Sequence, residues 1–366
     1  MVRITLILLT LLAVIGLAAA YWVTRDGQFV TPEGEGEITL DAGTFEAFPL
    51  PDYAAAFVSE DYKSYFVEVE PGIKIHVLEV GTGYPVYMQH GNPTSGFLYR
   101  KIADALPTER VRAIMPTMPG LGFSTKIPAS EHTLDNHTRW MNAVLDQLDI
   151  DEVVYVGQDW GGPVGMGALA RSPGKLQGMV AMNTGFGSPK EPIEFSEMHA
   201  RVATPVVGEF LLEVLVSIFD RLHTLQGDPG SLPVELRQLY AQPVLDSGNK
   251  KAPLALMRMV PDGPDHPSAI TGLAFETYAL GLDIPVEIIW GMSDPVLGAG
   301  STGLENMKRM FPDAPVLETD AGHFLQEEVP DEIAAAVMRI VELVQAVPSL
   351  EPVADTSDSR LDETVE

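Results

Sequence analysis

The residues best suited to chemistry lie in the run Val153-Val154-Tyr155-Val156-Gly157-Gln158-Asp159-Trp160-Gly161-Gly162. Its apolar start reads as a buried strand, and the small-residue run from Gly161 to Arg171 reads as a helix. Between them, Gly-x-Asp-x-Gly has the spacing of a nucleophile elbow, with Asp where a serine more often stands. The glycines leave room for a sharp turn around a strained residue. Such a turn aims Asp159 at the positive end of the following helix. A carboxylate there is ionised and can attack carbon. The plainer alternative is an aspartate that caps the helix.

Two further strand ends carry matching groups. His90-Gly91-Asn92-Pro93 follows an apolar strand at 85–90. Beside an elbow, that loop supplies one backbone N–H of an oxyanion hole, and Trp160 supplies the other. Taken alone, Gly-Asn-Pro is ordinary turn chemistry. Downstream, Asp294 follows a strand in Trp290-Gly291-Met292-Ser293-Asp294-Pro295, and His323 follows the next strand in Asp320-Ala321-Gly322-His323-Phe324. The chain order is then nucleophile Asp159, acid Asp294, base His323. His132 and His137 lack metal-ligand spacing on a helix. No metal or cofactor is called for, and the absence of cysteine excludes thiolate chemistry and disulfides.

The elements that must position these groups alternate. Alternating or apolar runs predict strands at 62–69, 73–80, 85–90, 111–115, 153–156, 178–182, 286–290 and 316–318. Helical spacing covers 97–106, 134–148, 161–171 and 333–344. This pattern predicts an α/β fold, a mostly parallel sheet flanked by helices. Across 184–273 strand signals vanish and helical runs at 206–219 and 232–240 take over, punctuated by Pro and Gly. That stretch is expected to be an inserted helical cap over the C-terminal edge of the sheet, where ligands of open α/β sheets bind. A helical lobe that merely packs is the alternative. The core is then 61–183 and 274–347.

The chain has 366 residues and a formal net charge of −28. Such acidity argues against a nucleic-acid surface and against a polybasic membrane patch. Residues 4–23 are almost wholly apolar and end in Tyr21-Trp22-Val23. About 20 such residues suffice to span a bilayer. The 1–23 segment therefore reads as a membrane anchor or, given Ala18-Ala19-Ala20, a cleavable signal. Either reading exports the remainder, which is then periplasmic or secreted, with membrane contact only through this segment. Residues 24–60 hold eight acidic residues and one basic, and 351–366 hold six against one. They are expected to be an acidic linker and, from 348 on, a solvated tail.

From about 62 to 347 the chain resembles the α/β-hydrolases with an aspartate nucleophile, above all the haloalkane dehalogenases. His90-Gly91-Asn92-Pro93-Thr94-Ser95 and Gly157-Gln158-Asp159-Trp160-Gly161-Gly162 carry the resemblance. It implies a helical cap and hydrolysis of small apolar halogenated substrates to alcohol, halide and proton, with water as co-substrate. It also implies that Trp160 and Asn92 hold the halide. One subgroup has its catalytic acid after the strand preceding the cap. Here that stretch is Val180-Ala181-Met182-Asn183-Thr184, without an acid, so Asp294 takes the role. Asp-His-Asp with Asn-Trp resembles a third subgroup. An epoxide hydrolase is the nearest rival, but that family uses paired cap tyrosines, and 184–273 contains only Tyr240. A non-catalytic binding protein at a membrane is a rival of another class, and the intact triad argues against it. Phe186, Phe195, Phe210, Phe219 and Phe275 are candidates for the pocket wall.

Overall fold

The computed structural model describes residues 2–346; the tail expected from 348 on lies outside them. Ten strands form one sheet: β1 Glu37–Leu40, β2 Gly43–Ala47, β3 Lys63–Glu70, β4 Ile73–Gly81, β5 Tyr84–Gln89, β6 Val111–Pro116, β7 Val153–Gln158, β8 Leu176–Met182, β9 Val286–Gly291 and β10 Val316–Thr319. Their order is β1-β2-β3-β4-β6-β5-β7-β8-β9-β10. The pairs from β1 to β4 are antiparallel, as is β4 with β6. From β6 through β10 every pair is parallel.

The parallel half explains the apolar strand sequences. Helices Leu134–Gln147 and Gly161–Arg171 pack together, and Pro330–Ala346 lies against β8. Strands covered on both faces need apolar residues at every position rather than at alternate ones. Accordingly, every residue of β7 is buried. Helix Leu134–Gln147 starts where expected, because the Thr133 hydroxyl accepts a hydrogen bond from the Asn136 N–H at 3.1 Å.

Four expectations need correction, the last of them the cap boundary. Residues 24–60 are more than an acidic linker. β1 and β2 form a hairpin that extends the sheet at β3. Further upstream, Val30 bridges Lys126, the Asp26 carboxylate holds the Ser130 N–H at 2.8 Å, and Asn249 donates to the Gln28 carbonyl at 2.7 Å. An edge hairpin with acidic, partly exposed side chains gives little hydrophobic signal. The expected helix at 97–106 divides into a 3-10 turn, Gly96–Tyr99, and an α-helix, Arg100–Ala105. The helical run at 206–219 is interrupted at Val216, whose backbone is extended.

Between β8 and β9 the described elements are all helical, among them Val234–Asp246, Lys251–Arg258 and Pro267–Leu280. The last of these runs past the expected boundary at 273. The chain begins with a helix, Val2–Thr24. Among the described residues no helix is long and apolar enough to cross a membrane. The side chains of residues 2–4, 6, 8 and 9 in this first helix lie outside that description.

Candidate active site

Asp159 follows β7 directly and has φ of 52°, in the left-handed region that non-glycine residues rarely occupy. Surrounding bonds hold it there. Its N–H donates to the Asn183 carbonyl at 3.0 Å. Its carbonyl accepts from the Thr184 hydroxyl at 2.7 Å and from the Gly162 N–H at 3.1 Å. Strain of this kind persists only where the surroundings over-determine it. Two glycines permit the close approach: a Cβ on Gly161 would collide with the Gln89 carbonyl, and one on Gly91 with the Asp159 carboxylate.

The carboxylate is cradled by backbone donors. Oδ1 accepts from the Asn92 N–H at 2.7 Å, and the Trp160 N–H adds a second bond. These are the two groups that the sequence assigns to an oxyanion hole. About 20% of the Asp159 side chain stays exposed. Burial of the remainder is the largest influence and raises its pKa. His323 and the two N–H groups pull it back only in part.

His323 and Asp294 meet beside it. Nδ1 of His323 lies 2.8 Å from Asp294 Oδ2, and its Nε2 lies 3.6 Å from Asp159 Oδ2. A carboxylate can only accept, so Nδ1 carries a hydrogen toward Asp294, while Nε2 lies 3.3 Å from the Gln158 amide nitrogen, which can donate to it. Burial lowers the His323 pKa, but Asp294 and Asp159 more than offset it, and the net shift is upward. Asp294 is buried too, which alone would raise its pKa. His323, the Val296 N–H at 2.7 Å and Asn183 at 2.9 Å reverse this and hold it low.

Two positioning contacts escaped sequence reasoning. Asn183 donates from Nδ2 to Asp294 Oδ2 and to the Gly291 carbonyl, while its Oδ1 accepts from the Gly291 N–H at 2.7 Å. It thus stands at the very strand end where the sequence lacks an acid, and it fixes the Asp294 carboxylate. Gln158 is wholly buried. Its Nε2 donates to the His323 carbonyl at 2.9 Å and lies 3.3 Å from His323 Nε2. The only available signal was its place next to Asp159.

A cavity of about 180 Å³ opens onto the carboxylate. Trp160, Phe186, Val260 and Phe275 give it apolar walls. Of the five phenylalanines considered, only Phe186 and Phe275 line it. Phe195 lies against the His199 ring, Phe210 is largely exposed, and Phe219 is buried against the neighbouring helices at another cavity. Spacing alone does not show which side of an irregular helix faces a cavity. Tyr240 packs by Arg100 and Glu327, away from this cavity. Among the described residues nothing accepts from the Trp160 indole N–H. Asn92 Nδ2 donates to the Pro253 carbonyl at 3.0 Å, which leaves its second hydrogen available.

The assembly can therefore do displacement chemistry at carbon: a carboxylate aimed into an apolar cavity, N–H donors around it, and a base oriented by an acid. Residues 84–330 match the α/β-hydrolase fold family. Haloalkane dehalogenase 2 of Mycobacterium tuberculosis is 30% identical over 268 residues, covering 72% of this chain and 90% of its own. A cis-3-alkyl-4-alkyloxetan-2-one decarboxylase of Shewanella oneidensis is also 30% identical, over 286 residues, covering 74% of this chain and 86% of its own. The solved haloalkane dehalogenase DatA of Agrobacterium tumefaciens superposes with a TM-score of 0.67 at 26% identity, covering 79% of this chain and 99% of its own. With sheet order, elbow and matched length in agreement, this chain belongs to the α/β-hydrolase family.

Proposed function

We propose that the chain is a haloalkane dehalogenase, with the Asp-His-Asp triad and Asn-Trp halide site of the third subgroup. The carrying observation is an Asp159 carboxylate that faces an apolar cavity while His323 and Asp294 stand hydrogen-bonded beside it. A carboxylate oxygen of Asp159 attacks the halogen-bearing carbon; the C–O bond forms as the carbon–halogen bond breaks. The halide leaves with the electron pair toward the indole N–H of Trp160 and the free amide hydrogen of Asn92. His323 Nε2 then takes a proton from water, and the hydroxide adds to the carbonyl carbon of the Asp159 ester. The oxyanion gathers on the backbone N–H groups of Asn92 and Trp160. Collapse expels the alkoxide, which takes the proton of the new Asp159 carboxylic acid and leaves as the alcohol; Asp159 is again a carboxylate, and His323 releases its proton to solvent. Asp294 keeps the imidazole oriented and stabilises its charged form.

The helical segment between β8 and β9 acts as the cap in this reading. In this reading the apolar sequence run at 4–23 favours export, with residues 1–23 as anchor or signal. The test is bromide release from a panel of bromo- and chloroalkanes, with Asp159→Asn as control. Release by the wild type that the control loses supports the proposal; equal release by both overturns the nucleophile. Among the described residues no tyrosine lines the cavity, which disfavours epoxide opening.

The Shewanella relative favours a second reading, decarboxylation of a four-membered lactone. Asp159 would attack the carbon bearing the ring oxygen, and the C–O bond would break to leave a free carboxylate on the next carbon. Loss of carbon dioxide from that carboxylate then forms the alkene and expels Asp159. Carbon dioxide release from a cis-dialkyl oxetan-2-one, without bromide release from any haloalkane, would decide for it.

A further inference from the structure

The strand ends of the sheet hold His323 on two sides: Asp294 fixes its ring, and Gln158 donates to its carbonyl. Its backbone N–H points the other way. It donates at 2.8 Å to the Leu225 carbonyl, in the helical segment between β8 and β9. The next residue completes the join. The Phe324 N–H donates to Gln226 Oε1 at 2.8 Å, and Gln226 Nε2 donates to the Phe324 carbonyl at 3.1 Å. The second amide hydrogen of Gln226 goes to the Ser231 hydroxyl at 3.0 Å. Gln226 and Phe324 are both buried. The two backbones also touch: a Cβ on Gly322 would fall 2.3 Å from Gln226 Cα, and one on Gly227 would fall 2.3 Å from the Asp320 carbonyl. The Glu328 carboxylate ties them together, accepting from the Gly322 N–H at 2.6 Å and the Gly227 N–H at 3.3 Å.

We propose that Gln226 is a positioning residue for His323, through which the inserted helical segment controls the hydrolytic half of the reaction. The inference rests on the dehalogenase reading. A primary amide is the one uncharged side-chain group that can pair with both the N–H and the carbonyl of a single residue, and Gln226 does so with the residue after the base. Attack by Asp159 on carbon needs no proton transfer, and the attacking carboxylate is held by the Asn92 and Trp160 N–H groups instead. His323 is needed only afterwards, when water adds to the ester. A displaced 320–324 loop therefore leaves ester formation intact and slows ester hydrolysis. Misplacing a reacting group by about 1 Å costs on the order of 10²-fold in rate.

The test follows single turnovers of 1-bromohexane in the full chain, for the wild type, Gln226→Leu and Gln226→Glu. Leucine removes both bonds to Phe324, whereas glutamate keeps the acceptor for its N–H and turns an oxygen toward its carbonyl. Circular dichroism establishes that each variant folds, and Gln226→Glu carries the test if Gln226→Leu does not. The bromide burst reports ester formation, and decay of the alkylated mass reports hydrolysis. In Gln226→Leu the burst should stay within about twofold of the wild type while hydrolysis falls roughly 10- to 100-fold, with Gln226→Glu between the two. Hydrolysis within about twofold of the wild type in the folded variants, or equal slowing of both steps, overturns the proposal. A residue that only supports the fold would lower Tm without separating the steps. The low-field proton NMR line of His323 Nδ1–H, assigned by its loss in His323→Phe, needs no reaction. If the wild type releases no bromide, the dehalogenase reading falls and this line decides whether Gln226 positions His323. A line that shifts or exchanges away in the folded variants supports the positioning, and an unchanged line overturns it.

Discussion

Replacing Gln158 by methionine, which is similar in length but cannot donate, should make His323 a stronger base. The orientation of the Gln158 amide is forced: the His323 carbonyl can only accept, so Nε2 must face it, and the second N–H of that group then points at His323 Nε2. A donor aimed at the imidazole lone pair stabilises the neutral ring and opposes its protonation. The other groups that face this ring, Asp294 and Asp159, both favour the proton. Gln158 therefore keeps the base free of a proton that Asp159, 3.6 Å away, would otherwise help to hold. A net hydrogen bond contributes about 0.5–1.5 kcal/mol. At 3.3 Å the lower half of that range applies, and at about 1.4 kcal/mol per tenfold it corresponds to roughly a two- to fivefold change in proton affinity. The assay is an NMR titration of the His323 imidazole, paired with the pH profile of ester hydrolysis in single turnovers. Because the base must be unprotonated, the acid limb of that profile should move to higher pH in Gln158→Met and further in Gln158→Glu. Lost packing alone would lower Tm without moving the titration. A His323 proton affinity that is unchanged or lower in Gln158→Met would refute the reasoning.

His323→Phe should still form the Asp159 ester but slow its hydrolysis by about 10²–10⁴; intact-mass spectrometry should show one alkyl group on the protein, and its absence with bound substrate counts against two steps. Gly91→Ala should fold yet lose most turnover, since the new methyl group would meet the Asp159 carboxylate; near-normal kcat would refute that packing. Glu327→Ala should cost about 3–5 kcal/mol in urea unfolding, because it strands the buried Arg100 guanidinium, and a loss under 1 kcal/mol would contradict the pairing. Burial pushes His76 and His132 down to about 3 and His90 to about 4, from an ordinary 6.5. Below pH 6.5 the unfolded chain therefore takes up protons that the folded chain refuses, so this stability is present above 6.5 and is lost as pH falls toward 4. At pH 5 each of the three should cost about 2 kcal/mol, and equal unfolding free energies at pH 7.5 and 5 would refute it.

Much of the fold was legible because its signals are local. β7 had to be apolar throughout, the elbow had to be flanked by glycine, and the helix at Gly161–Arg171 begins and ends where its residues indicated. The chain order of Asp159, Asp294 and His323 followed from three strand ends, each recognisable by its own turn residues. The hairpin of β1 and β2 was not legible, because its alternating exposed and half-buried side chains match an acidic linker in composition.

The sequence by itself thus determined most element types, the sheet class and the candidates for the reacting groups, since backbone period and turn chemistry act over a few residues. Only the tertiary structure decided which groups touch. Gln158 and His323 are 165 residues apart, Asn183 and Asp294 are 111 apart, and Asn92 reaches Pro253 across 161. Such contacts depend on how helices and strand ends pack around a shared cavity, and that packing is set by the sum of many side-chain shapes rather than by any one stretch of chain.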